Sequence, residues 1–235
     1  LITTFRMTTK MQRTSDEYGI TIIDLLEHNE ISHNEIKDAI ISSVVPNVMH
    51  YLCSGMIKYF DIQPMVVEPG VKTGIRITSE NPAQIGADRI VDAVGAYELY
   101  GGPVVVIDYG TATTYDFVNG NGDFFAGVTS PGIRISAKAL WEDAAKLPEI
   151  EIKKPSTILA RETISSMQAG LIFGQIGQTE YIVKNMIKES GLKDVKVVAT
   201  GGLGKIIANE TKYIQYYNPT LTLEGMRLIY AKQKR

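Results

Sequence analysis

The sequence predicts an α/β fold of two similar lobes. Three observations carry this reading. Both halves mix strand patterns with helical ones. Gly101-Gly102-Pro103 punctuates the middle of the 235 residues. Directly behind that break, the apolar run Gly102-Pro103-Val104-Val105-Val106-Ile107 opens three successive strand patterns. The predicted division is therefore 1–101 and 102–235.

Taken in order, Leu1-Ile2-Thr3-Thr4-Phe5-Arg6-Met7-Thr8 reads as a strand already under way, so that a preceding segment is expected. Thr14-Ser15-Asp16-Glu17 supplies cap residues for a helix over 18–27. A strand is predicted over 38–45. Pro46 then opens a helix in which Met49, Leu52, Cys53, Met56, Ile57 and Phe60 recur on one face. Short strands near 64–67 and 74–77 and a helix over 86–99 complete the first half. The second half reads as strands over 104–109, 113–118 and 123–129, the last two joined by Asn119-Gly120-Asn121-Gly122. Helices over 133–145 and 165–189, a strand over 195–199, a helix after Gly202, a short strand over 213–217 and a helix over 221–231 follow.

Composition excludes several classes of function. With 24 basic and 26 acidic residues the net charge is −2, and no basic block stands out, which argues against nucleic acid or an anionic membrane as a partner. The single cysteine, Cys53, rules out an intramolecular disulfide and sits as a small apolar residue in a helix. No apolar run approaches the ~20 residues of a membrane span, so a cytoplasmic protein is expected. The three histidines, His28, His33 and His50, have no zinc-site spacing.

Four segments carry candidate chemistry. In Asp108-Tyr109-Gly110-Thr111-Ala112-Thr113-Thr114 a strand ends in a carboxylate, turns through glycine and returns through small residues and hydroxyls. Glycine lets backbone N–H groups approach an anion, and the threonines add donors. The Asp108 carboxylate would repel bare phosphate, which implies a cation between them. The same segment also reads as a plain hairpin of β-formers. Gly86-Ala87-Asp88-Arg89 opens a helix: Asp88 is either a first-turn carboxylate favoured by the helix dipole or a general base, and Arg89 is a candidate anion clamp. Gly127-Val128-Thr129-Ser130-Pro131-Gly132 joins a strand end to a helix start, ordinary as a turn and suited to anions. Ala199-Thr200-Gly201-Gly202 ends a buried strand in a double glycine, against which a nucleotide base or ribose could lie. Lys205 is followed by Ile206 and the glycine spacing fits neither a Walker loop nor a Rossmann fingerprint.

In this order these segments, with Glu162-Thr163, Gly170 and Leu221-Thr222-Leu223-Glu224-Gly225, resemble type III pantothenate kinase, of the acetate and sugar kinase, Hsp70 and actin superfamily. The resemblance spans the whole chain. It implies two ribonuclease H-like lobes with mixed sheets flanked by helices, a nucleotide cleft between them, and a homodimer. It implies transfer of the ATP γ-phosphoryl to pantothenate, giving 4'-phosphopantothenate, the first step of coenzyme A biosynthesis. By that resemblance Asp88 is the base, Gly86, Ala87, Asp88 and Arg89 form the substrate loop, and Thr163 reaches pantothenate. Asp108 holds a monovalent cation, K⁺ or NH₄⁺. Gly110 and Thr111 contact ATP phosphate, Gly201 and Gly202 lie in the adenosine motif, and Mg²⁺ arrives on the nucleotide.

Two departures stand out. Ser79 occupies a position where many family members carry tyrosine, so a more open or differently lined pantothenate pocket is expected. The family's first phosphate motif, an Asp-x-Gly-Asn-Thr hairpin, is absent from this sequence, which reads as a missing N-terminal hairpin. The competing reading is a non-catalytic regulatory relative of the same fold. Intact Asp88, Arg89, Asp108 and Thr111 argue against it.

Overall fold

Apolar residues at strand period in the second half build the sheet that organises the protein. The computed structural model describes residues 1–8, 12–43 and 45–234, and they form a mixed α/β fold with sheets flanked by helices. In chain order the helices are α1 (Ser15–His28), α2 (Pro46–Phe60), α3 (Ala87–Tyr100), α4 (Ile133–Asp143), α5 (Thr163–Ser190), α6 (Gly204–Ala208) and α7 (Leu221–Gln233). The strands are β1 (Ile40–Ile41), β2 (Met65–Val66), β3 (Arg76–Ile77), β4 (Val104–Tyr109), β5 (Ala112–Val118), β6 (Asp123–Pro131), β7 (Lys196–Thr200) and β8 (Tyr216–Tyr217).

The chain divides into two compact units. The first comprises Leu1–Lys72, Gly86–Asp88 and Tyr230–Arg235; the second comprises Thr73–Ile85 and Arg89–Ile229. In the first unit, Thr14 caps α1 in a reciprocal box with Glu17: the Glu17 N–H donates to the Thr14 hydroxyl, and the Thr14 N–H donates to the Glu17 carboxylate. Helices α1 and α2 approach closely at glycine, since a Cβ at Gly55 would lie 2.8 Å from the Ser15 carbonyl oxygen. Lys58 and Tyr59 of α2 both reach the Asp16 carboxylate, at 2.6 and 2.9 Å.

Strand patterns in this unit overstate what forms. Residues 1–8 carry no regular structure, contrary to the predicted opening strand, and Leu1 and Ile2 are exposed. Of the predicted strand over 38–45, in which residue 44 lies outside the described residues, Ile40–Ile41 form a strand, paired parallel with β2. β propensity is chiefly a packing preference, and without a paired neighbour it leaves an extended chain.

The second unit holds a six-stranded sheet in the order β3-β6-β5-β4-β7-β8. Strands β4, β5 and β6 form the expected antiparallel meander, β7 and β8 continue parallel to β4, and β3 pairs parallel with β6. Residues Thr73–Ile85 belong to this sheet's unit. Alternation along β4 assigns its two faces. Val105, Ile107 and Tyr109 pack with Tyr115, Phe117, Ile172, Val183 and Ile207, beneath α5 and α6. Val104 and Val106 pack with Ala93, Ala96, Phe124, Val198 and Leu221, beneath α3 and α7. Here glycine sets the helix spacing: a Cβ at Gly225 of α7 would run into the Val91 carbonyl of α3. Thr222 of α7 donates to the buried Asp92 carboxylate of α3 at 2.6 Å.

Candidate functional site

The sheet face under α3 and α7 is apolar along the first part of β4 and polar at its end. Register places Asp108 beside Thr200 on β7 and Thr114 on β5, and Thr114 beside Thr129 on β6. Four adjacent strands therefore present one carboxylate and three hydroxyl-bearing residues in a single row on one face. One rung further in, the row is Val198, Val106, Asp116 and Gly127.

Two glycine turns close on the Asp108 carboxylate. A Cβ at Gly110 would stand 2.9 Å from Asp108 Oδ2, and one at Gly201 would stand 2.6 Å from Asp108 Oδ1 and equally close to the Tyr109 amide nitrogen. Gly201 also has φ +91°, in the half of backbone space that side chains avoid. Gly110 and Gly201 are thus close-approach positions. Gly202 differs: it is exposed, and a Cβ there would meet nothing within 4 Å.

The third glycine motif joins the same place. The Gly132 N–H donates to the Thr111 carbonyl at 3.1 Å, and a Cβ at Gly132 would overlap the Gly110 and Thr111 carbonyls. Gly132 is the N-cap of α4, so the start of an 11-residue helix lies against the Gly110–Thr111 turn. Its N–H groups add positive partial charge there. Thr111 itself is exposed.

Behind the turn, on the opposite face of the sheet, a buried hydroxyl chain ties β4 and β5 to α5. Tyr109 and Tyr115 both meet the Thr179 hydroxyl, at 2.8 and 3.1 Å, and Gln175 donates to the Tyr115 oxygen at 3.2 Å. Burial pushes both phenols above the ordinary tyrosine range, so they remain neutral. Thr179 was not singled out in the sequence, where a threonine in a long helix carries no signal.

The substrate-loop residues divide between the two units. Gly86, Ala87 and Asp88 belong to the first, with Asp88 exposed in the first turn of α3. Arg89 belongs to the second, where its guanidinium is paired with Asp116 of β5. Asp116 is a second residue missed as a site candidate; its signal was a carboxylate between Tyr115 and Phe117 within a strand pattern. Thr163, the first residue of α5, is exposed and lines a cavity of ≈ 520 Å³ with Ser136, Leu140, Leu147 and Met167, which includes none of Asp108, Gly110 or Thr111. The Ser79 hydroxyl is buried without a hydrogen-bond partner. Among the described residues, no three His, Cys, Asp or Glu side chains gather as a metal set, and no helix is long and apolar enough to cross a membrane.

Fold and site together define an α/β protein in which three glycine turns and a helix start gather around one carboxylate at the end of an interior strand. The chain belongs to the type III pantothenate kinase family. The family's profile matches residues 1–185. A type III pantothenate kinase from Agathobacter rectalis is 67% identical over 231 residues, covering 98% of this chain and 89% of the relative. Another from Bacillus cytotoxicus is 50% identical over 228 residues, covering 97% and 87%. Among solved structures, a chain from Campylobacter jejuni described as a Baf family transcriptional activator superposes with a TM-score of 0.58 over 85% of this chain and 86% of its own, at 21% identity. That likeness concerns the fold alone.

Proposed function

We infer that this protein transfers the γ-phosphoryl group of ATP to pantothenate, giving 4'-phosphopantothenate, the first committed chemistry toward coenzyme A. The observation that carries the reading is 67% identity, over nearly the whole chain, to a protein named for that activity. The Asp108 site supports it independently, because phosphoryl transfer asks for alignment and charge compensation more than for covalent chemistry.

In this proposal Gly110 and Thr111 bind ATP phosphate, aided by the α4 start, and Gly201 and Gly202 face the adenosine. Asp108 holds K⁺ or NH₄⁺. The donor set fits such an ion: one carboxylate, in a cradle that a Cβ at Gly110 or Gly201 would fill, among hydroxyl and carbonyl oxygens suited to a hard cation. Bound there, the cation would offset the repulsion between Asp108 and the nucleotide phosphates, while Mg²⁺ enters with ATP. Asp88 accepts the proton of the pantothenate hydroxyl, Gly86, Ala87 and Arg89 complete the substrate loop, and Thr163 contacts pantothenate. Ser79, where many family members carry tyrosine, leaves that pocket more open or differently lined. A cytoplasmic homodimer, with ribonuclease H-like lobes over 1–101 and 102–235, belongs to the same proposal.

The test is a coupled assay of ADP release by the full-length protein, with and without pantothenate, in potassium and in sodium. Pantothenate-dependent turnover that needs potassium is expected. Absence of pantothenate-dependent turnover under every cation would sink the kinase reading, whereas equal turnover in sodium would remove only the cation role of Asp108.

A further inference from the structure

Arg89 meets its carboxylate along one defined edge. Its Nε donates to Asp116 Oδ1 and Oδ2 at 3.1 and 3.2 Å, and its Nη2 donates to Oδ1. This is a side-on pairing through the Nε–Nη2 edge of the fork. The two partners are unequally covered: the Asp116 side chain is 3% exposed, and the Arg89 side chain 22%. One end of the pair is fixed inside the sheet, and the other reaches toward solvent.

Two further features hold the guanidinium in that pose. The Phe124 ring lies 5.8 Å from its central carbon. Gly127, opposite Asp116 in the β5–β6 register, leaves the space the head group occupies. A Cβ there would run into Nη2 and lie 2.8 Å from Asp116 Oδ1. Burying the Asp116 carboxylate within the sheet costs desolvation, and a buried ion pair is a poor way to gain stability. The arrangement is better suited to orientation than to stability.

We propose that Asp116 is a positioning residue, which, with Gly127, aims the Arg89 guanidinium at the acceptor substrate. The inference rests on reading 86–89 as the substrate loop and adds a residue that reading did not contain. Asp116 touches neither substrate nor reacting atoms; it acts through Arg89. Loss of the pairing therefore weakens capture of the acceptor and leaves ATP binding alone.

The experiment compares full-length wild type with Asp116→Asn, Gly127→Ala, Arg89→Gln and the double variant Asp116→Asn/Arg89→Gln. The readouts are KM for pantothenate, KM for ATP, kcat and the thermal midpoint. Asp116→Asn should raise the pantothenate KM by about tenfold or more, the size of a lost charge-assisted contact, with the ATP KM within about twofold. Gly127→Ala, which keeps both charges, should move the same constant in the same direction. Because Asp116 acts through Arg89, adding Asp116→Asn to Arg89→Gln should change KM by less than about twofold. If Arg89→Gln raises the pantothenate KM and neither Asp116→Asn nor Gly127→Ala does, the pair is structural and the proposal is wrong. If Arg89→Gln leaves that KM unchanged, the substrate-loop reading itself fails. Should the Asp116 and Gly127 variants not fold, the wild type decides: the Arg89 Nε–H resonance, assigned by its loss in Arg89→Lys, should exchange slowly with solvent before pantothenate is added. Rapid exchange overturns the proposal.

Discussion

Gly201 and Gly202 are neighbours with opposite expectations, which makes them the sharpest probe of the Asp108 site. Alanine at Gly201 must adopt φ +91° and place a methyl group 2.6 Å from both Asp108 Oδ1 and the Tyr109 amide nitrogen. The backbone conformation alone costs about 1–3 kcal/mol in a non-glycine residue, and relieving the overlap adds about 1 kcal/mol more. At about 2–4 °C per kcal/mol for a chain of this size, Gly201→Ala should melt roughly 4–16 °C below wild type. Relief comes by moving Asp108 or the end of β4. A displacement approaching 1 Å in a positioned group can cost about a hundredfold in rate, so ATP use should fall with stability.

Alanine at Gly202 meets nothing within 4 Å and needs no unusual φ. Its melting temperature should stay within about 2 °C of wild type, as for a surface substitution worth at most about 0.5 kcal/mol. Circular-dichroism melts of the two variants, with steady-state KM for ATP, make the comparison. Equal melting temperatures for both variants, or a Gly201→Ala protein as stable as wild type, would refute the close approach of the two turns.

Asp88→Asn should lower kcat by about 10²–10⁴-fold, the usual share of a general base, with an unchanged melting temperature because Asp88 is exposed; near-normal kcat removes it from the base role. Thr179→Val keeps the shape but deprives Tyr109 and Tyr115 of their shared hydroxyl, and should cost about 1–3 kcal/mol in urea unfolding. Thr179→Ser should recover most of this, and equal midpoints for Val and Ser would show the network is not formed. The Asp123 carboxyl is held below its ordinary value of 3.8, first by the Asn119 amide and then by Arg76. Its folded pKa is depressed, so its contribution is complete above the unfolded value and fades as pH falls through the folded one. The stability gap between wild type and Asp123→Asn should therefore close on acidification below about pH 4, in urea midpoints measured from pH 6 to pH 2; a gap constant across that range would contradict the assignment.

What the sequence disclosed followed from which interactions are local. The β4–β5–β6 meander was legible because its strands alternate or run apolar and its turns are marked by Gly110, Asn119 and Gly120. Helical spacing on α2 found buried Met56 and half-buried Met49, Leu52, Cys53 and Phe60, but Ile57, placed on the same face, is exposed. Residues 1–8 and 38–45 looked equally strand-like, but propensity says nothing about whether a partner strand is present. The Asp108 turn was found because its chemistry sits within seven consecutive residues. Arg89 and Asp116 are 27 positions apart, and their meeting depends on which rung of β5 lies under α3. No local pattern encodes that distance, and Thr179, 64 and 70 positions from its two tyrosines, is the same case.

The two faces of β4 explain why one strand can serve both packing and chemistry. Odd-numbered residues from Val105 to Tyr109 point to α5 and α6, and there the row ends in a neutral phenol bound to Thr179. Even-numbered residues from Val104 point to α3 and α7, and there the row ends in the Asp108 carboxylate. A register slip of one residue would bury Asp108 under α5 and turn Tyr109 toward the glycine turns. The long apolar run before Asp108 and the hydroxyl chain behind Tyr109 both oppose that slip, so the elements that hold the core also fix where the carboxylate stands. Weakening the chain at Thr179 should thus loosen Asp108 from behind, and Thr179→Val should raise the ATP KM even at temperatures where the protein remains folded. An ATP KM equal to that of wild type would show that β4 keeps its register without the hydroxyl chain.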